Sequence, residues 1–158
     1  MGRWYSIPRE YPDYPMVGVG AVVIVNGKIL LVKRASPPGR GRWSIPGGVP
    51  EVGEKLKDAV LRELYEETGV RGRVLGLIDV EEYIEYDKED KVRYHYVLLD
   101  FLVEPIGEVE PKASSDALEA RFWSIEYALK SLELTISTRK LLAKIKRYRD
   151  KPILLEVP

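Results

Sequence analysis

The sequence predicts an α+β fold, a mixed α/β/α sandwich built around a central mixed sheet. Three observations lead there. The 158 residues are the size of one ordinary domain, and 45% are hydrophobic, enough to bury a real core. Runs rich in Val, Ile and Tyr, separated by turn signals, read as mostly antiparallel strands. Two segments of helical spacing are interspersed with them.

The elements follow in order. Residues 1–16 form an N-terminal arm, because Pro8, Pro12 and Pro15 prevent a regular helix. Its Trp4, Tyr5, Tyr11 and Tyr14 need cover from the domain or from a partner subunit. Val17 to Val25 reads as a buried strand, Asn26-Gly27 as a hairpin turn and Lys28 to Arg34 as the return strand. Pro37 to Gly41 is a loop, Trp43 to Ile45 is short and extended, and Pro46-Gly47-Gly48 breaks it. Glu54 to Thr68 reads as a helix closed by Gly69, with apolar Val70 behind. Val74 to Tyr86 and Lys91 to Val103 form a hairpin around the charged turn Asp87 to Asp90. After a loop over 105–115 come a strand over 120–125, a helical turn over 126–132, a helix over 136–149 and an extended tail from Pro152. No repeat or linker interrupts the chain, so residues 1–158 are expected to form one domain.

Composition excludes several functions. Lys+Arg and Asp+Glu are 25 each, which argues against binding nucleic acid by bulk charge. There is no cysteine, which removes disulfides, thiolate metal sites and a cysteine nucleophile. The single histidine, His95, excludes multi-histidine metal sites. It lies in a strand-like segment and is read as structural. No apolar run approaches the roughly 20 residues of a membrane span, and Met1 to Trp4 lacks the apolar core of a signal peptide. The expected location is the cytoplasm, with no membrane and no nucleic-acid partner. One Asn, no Gln and two Met beside dense Glu, Lys and Arg suggest a thermophilic source. The basic residues of 136–149 read as a solvated face.

The segment that carries chemistry is Arg62-Glu63-Leu64-Tyr65-Glu66-Glu67. On a helix, Glu63 and Glu67 lie about 40° apart and Glu66 about 60° from Glu63 on its other side. All three are therefore expected to converge. The apolar stripe is Leu56, Val60 and Leu64, and Glu63 falls only about 20° from Leu56. A solvated acidic face would point away from that stripe; this one borders it. Such crowding calls for a counter-charge, either Arg62 or a divalent cation. All-oxygen ligation suits Mg²⁺ or Mn²⁺. Upstream, Gly47 and Gly48 allow backbone to approach a metal or a phosphate closely.

These residues resemble the Nudix box. Gly48, five residues, Glu54, seven residues, then Arg62-Glu63-Leu64-x-Glu66-Glu67-x-Gly69-Val70 agree at seven fixed and two aliphatic positions. Chance agreement is on the order of one in a billion per starting point. The flanking strand pair 27–34, the entry 41–48 and the segment 119–123 extend the resemblance over about residues 17–125.

The resemblance implies hydrolysis of a nucleoside diphosphate linked to another group. It implies Glu63 and Glu67 as principal metal ligands beside the Gly47 carbonyl, with Glu66 on a further metal or its water. Arg62 would orient the acids, and Glu54 would brace the loop before the helix. Either a metal-bound water attacks phosphorus directly, or a carboxylate in the loop before the last strand, Asp116 or Glu119, takes its proton, with Glu119 slightly favoured. Trp43, Arg34 and Gly48 are the substrate-binding candidates: Trp43 to stack on a base, Arg34 to contact phosphate. A homodimer is implied as well. The chain resembles proteins that cleave ADP-ribose to AMP and ribose-5-phosphate, although Tyr86 stands where many of them have proline. Hydrolysis of nucleoside triphosphates, dinucleoside polyphosphates or 5′-triphosphate RNA is the alternative, and a non-catalytic nucleotide sensor a lesser one.

Overall fold

The computed structural model describes residues 8–148. Trp4, Tyr5 and the tail from Pro152 lie outside them. Eight strands and three helices follow one another: β1 (Met16–Val22), β2 (Ile24–Val25), β3 (Lys28–Arg34), β4 (Trp43–Ser44), β5 (Gly47–Gly48), α1 (Leu56–Thr68), β6 (Arg71–Tyr86), β7 (Val92–Ile106), β8 (Ala117–Ser124), α2 (Ile125–Ser131) and α3 (Ile136–Arg147). No helix among the described residues is long and apolar enough to cross a membrane.

The strands form two four-stranded sheets. The first has the order β5-β1-β7-β6. In it β1 runs parallel to β7, and the outer pairs are antiparallel. In the second, β3 pairs antiparallel with β2, β4 and β8. The β layer is thus mixed, as expected, but divided in two. The expected strand 17–25 breaks at Val23 into β1 and β2. Gly47 and Gly48, read as a breaker, form β5 instead, with Gly47 opposite Gly20 and Gly48 opposite Val19. A Cβ on Gly47 would drive into the Val19 backbone, so only glycine allows this pairing.

α1 starts at Leu56, two residues later than expected, because Glu54 is used in the loop: its carboxylate accepts the backbone N–H of Glu51 at 2.9 Å. The helix ends as its sequence requires. Gly69 adopts φ 71°, and its N–H returns to the Tyr65 carbonyl at 2.8 Å. Ala59, Val60 and Leu64 of α1 are fully buried against Val19, Ala21, Phe101 and Val103 of the first sheet. On the other side, Leu141 and Leu142 of α3 and Ala128 of α2 pack with Val22, Ile29, Leu31 and Trp43. Two apolar clusters on opposite sides of the sheets are what make the fold a sandwich.

The described part of the arm docks on the β6–β7 hairpin. Tyr11 donates its N–H to the Arg93 carbonyl at 2.8 Å and its hydroxyl to Asp87 at 2.9 Å. Glu10 receives Arg93 at 2.9 Å and the Tyr94 hydroxyl at 2.7 Å.

Leu64 joins α1 to the first sheet without any exposed surface. Leu64→Ala is expected to cost about 2–5 kcal/mol, lowering Tm by about 2–4 °C per kcal/mol in a chain of this size. Thermal unfolding followed by circular dichroism measures it.

Candidate active site

A cleft of about 400 Å³ opens between the first sheet, β3 and the N-terminal end of α3. α1 delivers Glu63 and Glu67 into it, while Gly47 and Gly48 form its edge. The angular reading of the helix explains this. Both acids border the apolar stripe, so packing Val60 and Leu64 into the core carries Glu67 inward until only 6% of it is exposed. Gly48 lies directly against the Glu63 carboxylate, and any Cβ there would collide with it.

Arg62 organises the acids. Its Nε and Nη2 donate to the two carboxylate oxygens of Glu54 at 2.7 and 2.9 Å. Its Nη1 donates to Glu63 at 2.8 Å and to Glu66 at 3.3 Å, and Nη2 also reaches the Val49 carbonyl at 3.3 Å. Glu54 is thereby the brace it was expected to be, and these contacts pull its carboxyl below the ordinary range. The expected convergence of Glu63, Glu66 and Glu67 needs correction. Arg62 draws Glu66 outward, where its side chain is 46% exposed and outside the cleft lining. Among the described residues no three acidic or histidine side chains gather closely enough to hold a cation by themselves.

The electrostatics of the remaining pair still call for positive charge. Burial, and then the adjacent Glu63 charge, push Glu67 up to about 8, with Asp116 adding to the shift; Arg34 and the Gly47 backbone oppose it. Burial also raises Glu63, against the pull of Arg62. Two carboxylates and the Gly47 carbonyl suit Mg²⁺ or Mn²⁺, which are commonly held by one or two carboxylates together with substrate phosphates.

Asp116 and Glu119 separate in space. The register of β3 against β8 shifts between Lys33 and Arg34, so Arg34 faces Ala117. Asp116 then lies at the cleft, where Ser36 donates to it at 3.4 Å and its carbonyl receives the Ala35 N–H at 2.9 Å. The preceding loop is tied to the end of α1, with Ser114 N–H on the Glu67 carbonyl at 3.1 Å. Glu119 pairs with Lys33 at 3.4 Å and does not line the cleft. Of the two base candidates, Asp116 lines the cleft and Glu119 does not.

Arg34 lines the cleft as expected, its Nε donating to the Pro38 carbonyl at 2.8 Å. Trp43 does not. It is 7% exposed and packs edge-on against Trp123 within the second apolar cluster, so it is a core residue rather than a stacking platform. Tyr86 ends β6, 59% exposed and outside the cleft lining. His95 sits on the β7 face opposite Tyr96, Leu98 and Asp100, the cleft-lining residues of that strand.

Several lining residues escaped the sequence reading. Arg9 of the arm reaches the cleft, and its charge pulls on Glu63. Tyr83 donates to Glu85, and both line the wall. Ser44 presents a buried hydroxyl with no partner among the described residues. Asp100 lies at the inner end. It had one signal: a lone charge inside the apolar run 97–103.

A NUDIX domain family model matches residues 14–145, and the chain belongs to that family. It is 38% identical over 112 residues to an ADP-ribose pyrophosphatase of Methanocaldococcus jannaschii, covering 71% of this chain and 63% of that enzyme. The chain thus spans somewhat under two thirds of that relative. A MutT NUDIX hydrolase structure from Burkholderia pseudomallei superposes with a TM-score of 0.72 at 29% identity, covering 84% of this chain and 99% of the other. A bifunctional NMN adenylyltransferase/ADP ribose pyrophosphatase from Francisella tularensis, complexed with AMP and manganese, gives 0.64 at 25% identity over 85% and 42%.

The raised Glu67 makes a signed prediction for metal-free protein. Its proton is held in the folded state up to about pH 8 but released in the unfolded chain near 4.5. This acid therefore costs nothing below pH 4.5, and its penalty grows as pH rises toward 8. In chelator, Glu67→Gln is expected to melt higher than wild type at pH 8, with the difference vanishing by pH 4.5. Thermal melts across that range check it.

Proposed function

We propose that this protein is a divalent-metal-dependent pyrophosphohydrolase that cleaves a nucleoside diphosphate linked to another group, ADP-ribose to AMP and ribose-5-phosphate in the first instance. The observation that carries the proposal is the composition of one cleft. A largely buried acid pair, Glu63 and Glu67, stands at the Gly47–Gly48 edge, with Arg34, Arg9 and Asp116 lining the same space. The relative named ADP-ribose pyrophosphatase supports this choice of substrate.

Glu63, Glu67 and the Gly47 carbonyl would hold Mg²⁺ or Mn²⁺, with Glu66 available to a further ion once released from Arg62. The metal, when bound, neutralises phosphate oxygens and lowers the pKa of water. The chain supplies the rest. Arg34 and Arg9 place fixed positive charge where the pyrophosphate carries its negative charge. Gly48, with no side chain, lets the Glu63 carboxylate close against the edge of the cleft. Asp116 accepts a proton from the attacking water as the new P–O bond forms and the bridging P–O bond breaks. The phosphate leaving group departs as an anion and needs no proton at neutral pH. Arg62 is a positioning residue, which fixes Glu63, and Glu54 fixes Arg62. A homodimer is part of the same reading, and sedimentation would show a mass twice that of one chain.

The test is product analysis over ADP-ribose, nucleotide sugars, nucleoside triphosphates and diadenosine polyphosphates, with Mg²⁺, Mn²⁺ or chelator. ADP-ribose is expected to be cleaved fastest, and only with metal. Faster release of pyrophosphate from triphosphates would move the protein to the alternative substrate class. Tight binding without turnover would make it a sensor. Arg62→Ala is expected to lower kcat about 10–100-fold, as loss of an outer-shell partner does, and Glu63→Gln to lower it further.

A further inference from the structure

The N-terminal arm is fastened beside the row of β7 side chains that walls the cleft. One oxygen of the Glu10 carboxylate receives Arg93 Nη2 at 2.9 Å and the Tyr94 hydroxyl at 2.7 Å. Tyr11 adds two further bonds, from its N–H to the Arg93 carbonyl at 2.8 Å and from its hydroxyl to Asp87 at 2.9 Å. Asp87 is itself fixed, because its other oxygen accepts the N–H groups of Glu89 and Lys91 at 2.8 and 3.0 Å. Tyr11 has φ 52°, a region that a bulky residue rarely adopts and that persists only where surrounding structure holds it. Its two bonds to the hairpin do so here.

Tyr94 connects this anchor to the cleft. It is 3% exposed and stands two residues before Tyr96, on the same face of the strand. The two rings stack, with centroids 6.4 Å apart and 22° between their planes. Tyr96 and Leu98 continue the row along the cleft wall. The arm residue next to Glu10 is Arg9, and it reaches that cleft. Burial raises the Tyr96 phenol, and the charges of Arg9 and Arg34 both pull against it. Two guanidiniums from different elements thus act at the same part of the cleft. Glu10 is the carboxylate that could neutralise Arg9 from the adjacent position, but its ion pair is with Arg93. Its bonds to Tyr94 and then Arg93 hold its carboxyl below the ordinary range.

Resting on the reading above, we infer that Glu10 is a positioning residue for the substrate site: by pinning the arm to Arg93 and Tyr94, it holds the Arg9 guanidinium in the cleft, where Arg9 takes a phosphate of a nucleoside diphosphate. The planar guanidinium fork matches phosphate oxygens and stays charged at every working pH. The arm is then part of the binding site, although Glu10 and Tyr11 lie outside the cleft lining.

The test uses α,β-methylene-ADP, whose bridging carbon prevents hydrolysis between the phosphates. Calorimetry with Mg²⁺ measures its binding to the wild type, Arg9→Ala, Glu10→Ala, Glu10→Gln and the double variant Arg9→Ala/Glu10→Ala, with circular dichroism confirming that each is folded. Arg9→Ala and Glu10→Ala are each expected to weaken binding about tenfold or more, the scale of a hydrogen bond to a charged group. The double variant should be no weaker than Arg9→Ala alone, because two residues that act through one contact do not add. Glu10→Gln still accepts from Tyr94 and Arg93, so it should stay closer to wild type than Glu10→Ala. Wild type that does not bind the probe, or an Arg9→Ala or Glu10→Ala variant that binds it as tightly as wild type, would overturn the inference. So would single losses that add in full in the double variant, or Glu10→Gln as weak as Glu10→Ala. The expected binding pattern in a protein that does not cleave ADP-ribose would leave this inference standing and count against the proposed substrate alone.

Discussion

The guanidinium of Arg62 makes the acidic face of α1 tenable. Three carboxylates and a carbonyl receive its donors: both oxygens of Glu54, one each of Glu63 and Glu66, and the Val49 carbonyl. Without that fork, Glu63 and Glu66 would repel one another on a helix whose inner face is already committed to the core. With it, the loop before α1, the helix itself and the start of the cleft become one rigid unit. Glu67 is the acid Arg62 does not reach. Of the acids on this helix it is the one carried fully inward, and its carboxyl group is what the cleft offers to a cation.

Packing decides which charges are satisfied and which are left for a ligand. The α1 core contacts fix how deep Glu67 sits. The register shift in β3 against β8 turns Asp116 toward it, while Glu119 stays on Lys33. Glycines at 18, 20, 47 and 48 take side-chain volume away from the floor and edge of the cleft, where Asp100, Leu98 and Glu63 move in. Each unsatisfied group in the cleft is therefore placed by well-satisfied structure around it, as a preorganised site requires.

Much of this was legible in the sequence because it is local. The helix, its glycine stop and the border position of Glu63 and Glu67 follow from 3.6-residue periodicity alone. The Glu54 brace came from the family pattern. What was not legible depends on distant pairing. Wheel angles place Glu66 near Glu63 but do not show Arg62 drawing it outward. Asp116 and Glu119 are three residues apart, and only the register against β3 separates them. Trp43 is an aromatic beside a loop in the sequence, and its burial against Trp123 appears only once β8 is in place. Asp100 reads as a strand residue until its pairing with β1 and β6 carries it into the cleft.

The claim on which the rest depends is that the Glu63–Glu67 pair creates a divalent-cation site. Direct titration of Mn²⁺ into the metal-free protein, followed by electron paramagnetic resonance, tests it without reference to any substrate. Saturable binding in the wild type that is strongly weakened in both Glu63→Gln and Glu67→Gln, with both variants folded, is the predicted result. Binding that is absent from the wild type, or that survives unchanged in both variants, would contradict the account.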